Sequence, residues 1–151
     1  MDYFEGTVEN YLRADRKLFL NSEYLLQLDP DRNSPPKSRH WYVDVLAIDF
    51  RDKKIWLCEV TYSATQAALL KRLLAWQNNW DEVQKAVRRE IPLGNDFELK
   101  PWVFIPEEQH RGFQNRLQKL GGTLDLRLSS LEQVLPWKYR TWDRCGYETK
   151  S

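Results

Sequence analysis

Cysteine is scarce in this 151-residue chain: there are two, Cys58 inside an apolar run and Cys145 near the end. A pair so far apart in sequence makes neither a disulfide framework nor a zinc-binding pattern, and a reduced, cytoplasmic compartment is the expectation. Net charge is nearly absent too. Lys plus Arg number 23 and Asp plus Glu 22, a formal charge of +1. That balance excludes a histone-like cationic blanket and leaves any nucleic-acid contact to a local patch. No uninterrupted apolar run is long enough to span a bilayer, so no membrane partner is expected. Met1-Asp2-Tyr3-Phe4-Glu5 has no basic stretch leading into an apolar one, and a signal peptide is not expected. Neither G-x-G-x-x-G nor a P-loop occurs, which argues against nucleotide binding.

Apolar and aromatic residues are plentiful. Hydrophobic residues make up 42%, and there are 7 Trp, 7 Tyr and 6 Phe. This content is too apolar for a disordered chain. The length fits a single domain over residues 1–151, with an aromatic and basic tail at 136–151. Residues 29–39, DPDRNSPPKSR, read as a surface loop.

Periodicity gives the element order. Phe4, Val8, Tyr11, Leu12 and Phe19 approximate a helical stripe over residues 3–20, and residues 23–28 are either a short strand or the end of that helix. WYVDVLAIDF (41–50) and KIWLCEVTY (54–62) carry apolar residues on both faces, as strands covered on both sides do, and the short polar link between them predicts a hairpin. One long helix is expected over 64–90, with Ser63 and Gln66 in capping-box spacing. A strand at 101–105, a helix opened by Pro106, a half-exposed strand at 124–128 and a short helix from Leu131 follow. The expectation is an α/β domain whose mixed sheet is sandwiched by helices.

Two acids stand where acids are costly: Asp44 within VDVLAI and Glu59 within WLCEVTY. A turn centred between Arg51 and Asp52 places them opposite each other, with Cβ atoms roughly 4.5–5.5 Å apart. Like charges repel there, in a setting where burying even one carboxylate is expensive. A divalent cation between them is the simplest compensation, since Mg²⁺ is commonly held by one or two carboxylates plus substrate phosphate. A register shifted by one, or pairing of one acid with Arg or Lys, is the competing reading.

The spacing D-x(14)-E-x-T, formed by Asp44, Glu59 and Thr61 on a hairpin between an acidic helix and a long helix, resembles the PD-(D/E)XK nuclease superfamily over roughly residues 3–105. The resemblance implies a restriction-endonuclease-like core, α-β-β-β-α-β with an additional α-β, and a nucleic-acid substrate of unspecified type. It implies that Asp44 and Glu59 bind Mg²⁺ or Mn²⁺, helped by the backbone carbonyl of Val60. It also implies a Glu from the first helix; Glu9 matches best, with Glu5 one turn before it. Val43 replaces the proline of the family's name. Thr61 stands where the family's catalytic lysine is usual, and some members carry that lysine on the following helix. Lys71 is then the candidate, with Arg72 beside it, although Lys71 lies about 200° round the helix from Leu69. Gln66 resembles a glutamine of some nucleases, and the capping box explains it equally well.

Other residues are less informative. His40 reads as a loop histidine, His110 as structural and Cys58 as a small core residue. In the tail, Trp137 and Trp142 interleave with Lys138 and Arg140. Aromatic stacking beside cations is how proteins hold single strands. The same composition suits packing of the tail onto its own domain, which is preferred, or a homodimer interface.

Overall fold

The computed structural model describes residues 2–28 and 40–139. The expected loop at 29–39 lies outside them, as do Arg140, Trp142 and Cys145. Helix α1 spans Tyr3–Arg13. Asp2 caps it, accepting the Glu5 N–H at 2.8 Å while the Glu5 carboxylate accepts the Asp2 N–H at 3.0 Å. The helix ends before residue 20 because Asp15 turns the chain, its carboxylate taking the Lys17 N–H at 2.9 Å. Strand β1, Leu18–Gln27, takes over both the rest of the expected helix and the ambiguous segment after it. A ladder with β2 running from Leu18↔Asp49 to Gln27↔His40 decides this, and such long-range pairing outweighs local periodicity.

Strands β2 (His40–Asp49) and β3 (Lys54–Val60) form the expected hairpin. Asp49 holds the turn by accepting the N–H groups of Arg51 and Asp52. The ladder pairs Asp49↔Lys54 through Val45↔Cys58; one step further the same register sets Asp44 opposite Glu59.

The expected helix at 64–90 is two helices, α2 (Ala67–Asn78) and α3 (Trp80–Glu90). Asn79 breaks it at φ −125° and ψ 28°, and its side-chain amide bonds back to the Ala75 carbonyl at 2.9 Å, the competition for backbone partners that weakens Asn inside helices. The Ser63–Gln66 capping box does not form. Gln66 itself sits at the N-cap with φ 49°, and no side chain caps the helix. Strand β4 (Glu98–Ile105) begins earlier than expected. A single 3₁₀ turn separates Pro106 from α4 (His110–Lys119). Strand β5 (Arg127–Ser130) lies later than its leucine alternation suggested, and a 3₁₀ turn at Leu131–Val134 replaces the short helix.

The five strands run β1-β2-β3-β4-β5 across one mixed sheet. The first three are antiparallel, and β4 and β5 join in parallel through helical crossovers. Among the described residues four α-helices cover it on both faces. Leu69, Leu73 and Trp76 of α2, Val83 and Val87 of α3 and Phe113 of α4 form one apolar layer with Leu46, Ile55, Leu57 and Val103. Val8, Tyr11 and Leu12 of α1 form the other, with Val45, Ala47, Trp56, Cys58 and Phe104. The expected sandwiched α/β architecture is therefore present. Among the described residues no helix is long and apolar enough to cross a membrane.

One irregularity bears on function. Leu18 packs in the α1 layer, whereas Tyr24 and Leu26 of the same strand pack in the other. Likewise Val45 and Val43 of β2 belong to opposite layers. Strict alternation would put each set on one face. Glu23, at φ 51°, supplies the reversal, and the interruption falls between the pairs Ser22↔Val45 and Tyr24↔Val43, opposite Asp44. A left-handed non-glycine residue costs on the order of 1–2 kcal/mol. Here it interrupts the β1–β2 ladder at the position opposite Asp44.

Candidate active site

Asp44 lies midway along β2, where its pairing with β3 stops, and Glu59 lies next to the last residue of β3. Beyond Val45↔Cys58 the backbone ladder gives way to a crossed pair of side-chain bonds. The Asp44 N–H donates to Glu59 Oε2 at 2.9 Å, and the Val60 N–H donates to Asp44 Oδ2 at 2.9 Å. Each carboxylate is thus held by the other's strand. Both line a cleft of about 160 Å³ with Glu5, Val60, Thr61 and Arg72. Glu5 enters from α1 on one face and Arg72 from α2 on the other.

The electrostatics are unbalanced. Three carboxylates share the cleft with one guanidinium. Arg72 Nη1 donates to Glu59 Oε1 at 2.6 Å and to the Tyr42 carbonyl at 3.0 Å. Glu59 is almost fully buried, and burial raises its pKa, opposed by the Arg72 charge and the Asp44 N–H. Among the described residues no cation pairs with Asp44. Burial, then the Glu59 charge, raise its pKa from 3.8 to about 8, and a hydrogen bond with the Glu5 side chain adds to the rise. Burial likewise pushes the Cys58 thiol up, which suits a core residue and not a nucleophile.

The residues read from the motif divide. Asp44, Glu59, Val60 and Thr61 converge on the cleft, and so does Glu5. Glu9 does not. It is buried one turn further along α1, where its Oε1 accepts from Arg13 at 2.6 Å and from Ser22 Oγ at 2.6 Å. The Asp2-x-x-Glu5 spacing, a capping-box signature, carried the missed signal: it fixes Glu5 in the first helical turn, at the end of α1 that reaches the cleft. Lys71 is exposed and does not line the cleft. The stripe Leu69, Leu73 and Trp76 sets the rotation of α2. That rotation presents Arg72, three residues after Leu69 and four before Trp76, to the sheet end instead. Lys71→Ala is therefore expected to change stability by less than about 0.5 kcal/mol and to leave any turnover unchanged, checked by urea melts and initial rates.

Gln66 is buried and turned away from the cleft. Its amide donates to the Ser63 carbonyl at 2.7 Å and bonds Gln109 and Arg116. Thr61 Oγ1 accepts the Ser63 N–H at 3.1 Å. His110 faces the Ile105 carbonyl at 3.2 Å, a structural role. In the tail, Trp137 is exposed, while Tyr139 packs edge-on against Tyr11 at 5.3 Å, so this part of the tail does dock on its own domain. A larger cleft of about 340 Å³ lies at the α2–α3 junction, residues 77–82, and gathers amides and first-turn acids without an opposed carboxylate pair.

Among the described residues no group of three or more His, Cys, Asp and Glu side chains stands ready to hold a metal ion. The donor chemistry nevertheless suits a hard divalent cation. The cleft's oxygen donors are three carboxylates, the Thr61 hydroxyl and backbone, hard ligands without His or Cys among them, beside the Arg72 guanidinium. No protein-family model and no curated protein sequence matches the chain.

Proposed function

We propose that the protein is a metal-dependent nuclease of the PD-(D/E)XK type that hydrolyses phosphodiester bonds. The observation that carries this reading is the crossed pair Asp44 and Glu59, opposed on adjacent strands in one cleft with Glu5 and Val60. The element order supports a restriction-endonuclease-like arrangement: a helix, an antiparallel meander of three strands, then helical crossovers to parallel strands. Asp44 and Glu59 would hold Mg²⁺ or Mn²⁺, with Glu5 and the Val60 carbonyl beside them. Such an ion activates water and neutralises charge developing on the phosphate. Asp44 must lose the proton that its surroundings favour, so ion binding competes with protonation. Arg72 holds Glu59 in place and keeps one positive charge at the cleft.

Nucleic acid fits better than a small phosphoester because aromatic residues flank the site residues in sequence. Tyr42 and Tyr62 are both more than half exposed, and Tyr62 stacks on Phe4, the neighbour of Glu5, with centroids 4.6 Å apart. Exposed ring faces beside a phosphodiester cleft can stack bases. Trp137 and Lys138 are further candidates for that contact.

Thr61 favours a second reading, a nuclease-like module that binds nucleic acid or a protein partner without cutting, since a neutral hydroxyl supplies no charge to water or phosphate. Incubating the protein with mixed DNA and RNA in Mg²⁺ and in Mn²⁺, beside Glu59→Gln, separates the two. Cleavage by wild type and none by Glu59→Gln is expected; nucleic-acid binding without cleavage by wild type in either metal supports the module.

A further inference from the structure

Resting on the phosphodiester reading of the cleft, the geometry points to Arg72 as the residue that grips the substrate's phosphate, through the edge of its guanidinium that the protein leaves open. Arg72 is the one cationic residue lining the cleft among the described residues. Both of its hydrogen bonds leave from Nη1, to Glu59 Oε1 at 2.6 Å and to the Tyr42 carbonyl at 3.0 Å. Among the described residues none accepts from Nη2 or Nε, and the side chain is 39% exposed.

The pairing with Glu59 is single-pronged. An Arg–carboxylate pair built for strength alone is commonly two-pronged. Here Glu59 Oε2 takes the Asp44 N–H instead. The consequence is an anchored guanidinium with three unspent N–H donors, of which Nε–H and one Nη2–H share a planar edge with the spacing that matches two oxygens of a phosphate. Two anchors on different strands fix its direction before any ligand arrives, which lowers the ordering cost of binding. Thr61, facing the same cleft, cannot do this, because its hydroxyl is neutral and already accepts the Ser63 N–H. Lys71 is on the exposed flank of α2, outside the cleft lining. Once a divalent ion neutralises the carboxylates, Arg72 is the net positive group that an anion meets.

The test is fluorescence anisotropy of labelled single- and double-stranded DNA and RNA oligonucleotides with the full chain in Ca²⁺, over a salt series. Arg72→Gln, Arg72→Lys and Lys71→Gln are compared with wild type, and thermal melts establish that each variant is folded. Arg72→Gln is expected to weaken binding at least about tenfold and to lower the slope of log affinity against log salt by about 0.7 on single strands, one phosphate contact. Arg72→Lys should keep that slope while binding less tightly, and Lys71→Gln should match wild type. A structural partner of Glu59 would alter melting without moving the slope, so an unchanged slope in folded Arg72→Gln overturns the proposal. If Arg72→Gln fails to fold, an unchanged affinity in Arg72→Lys overturns it, since the two-pronged fit is then irrelevant. Absence of binding by wild type overturns this proposal and the nucleic-acid reading together. Binding with the expected Arg72 dependence but no cleavage in Mg²⁺ or Mn²⁺ upholds Arg72 and removes only the hydrolytic reading.

Discussion

Asp44→Asn is expected to abolish metal-dependent cleavage, by at least about 10³-fold or about 4 kcal/mol of barrier, while leaving the fold intact. An amide can still accept the Val60 N–H now bonded to Asp44 Oδ2, so the strand end keeps its shape. It carries no negative charge and is a poor partner for a hard divalent ion. The same substitution should change how stability depends on pH. Asp44 has a folded pKa of about 8 against an ordinary 3.8. Between those values the folded protein retains a proton that the unfolded chain releases. Stability therefore falls as pH rises through that window, by up to about 1.4 kcal/mol per pH unit from this group. Glu59 is shifted in the same direction. Urea melts at intervals across that pH range should show the decline in wild type and a flatter profile in Asp44→Asn. Mg²⁺ should restore wild-type stability at the alkaline end by binding the folded state, and should do little for the variant. An equal Mg²⁺ response in both proteins would count against the site.

The second large effect belongs to the scaffold. Trp76 is fully buried on α2, one turn after Arg72, and packs in the layer that fixes α2 to the sheet. Trp76→Ala should cost about 3–5 kcal/mol, a large fraction of the roughly 5–15 kcal/mol that holds a domain together. Because α2 positions Arg72, molecules that remain folded should also lose oligonucleotide affinity. Trp76→Phe refills most of the volume and removes an indole N–H that has no partner among the described residues, so it should cost less. A midpoint in urea for Trp76→Ala indistinguishable from wild type would contradict this account of how α2 is held.

Much of this arrangement was legible in the sequence because it depends on short-range arithmetic. The β2–β3 hairpin is bounded by a polar turn, and two acids symmetric about that turn oppose each other whatever surrounds them. The two-sided apolar character of both strands announced helices on both faces. What escaped depended on partners distant in sequence. Residues 18–20 read as helix because the strand they pair with begins some twenty residues later. The break at Asn79 and the left-handed Gln66 are local choices enforced by packing of α2 and α3 onto the sheet. The choices of Glu9 over Glu5 and Lys71 over Arg72 were each displaced by one helical step or one residue. Motif spacing names a helix, but only the buried stripe sets its rotation, and only the end nearest the sheet decides which turn reaches the cleft.

The central claim is that Asp44 and Glu59 together hold a divalent cation. Anomalous diffraction from crystals of wild-type protein and of Asp44→Asn soaked in Mn²⁺ tests it most directly. The account predicts an anomalous peak between the two carboxylates, within coordinating distance of Glu5 or the Val60 carbonyl, and its loss in the variant. A cleft without the peak in wild type at saturating Mn²⁺ would contradict it.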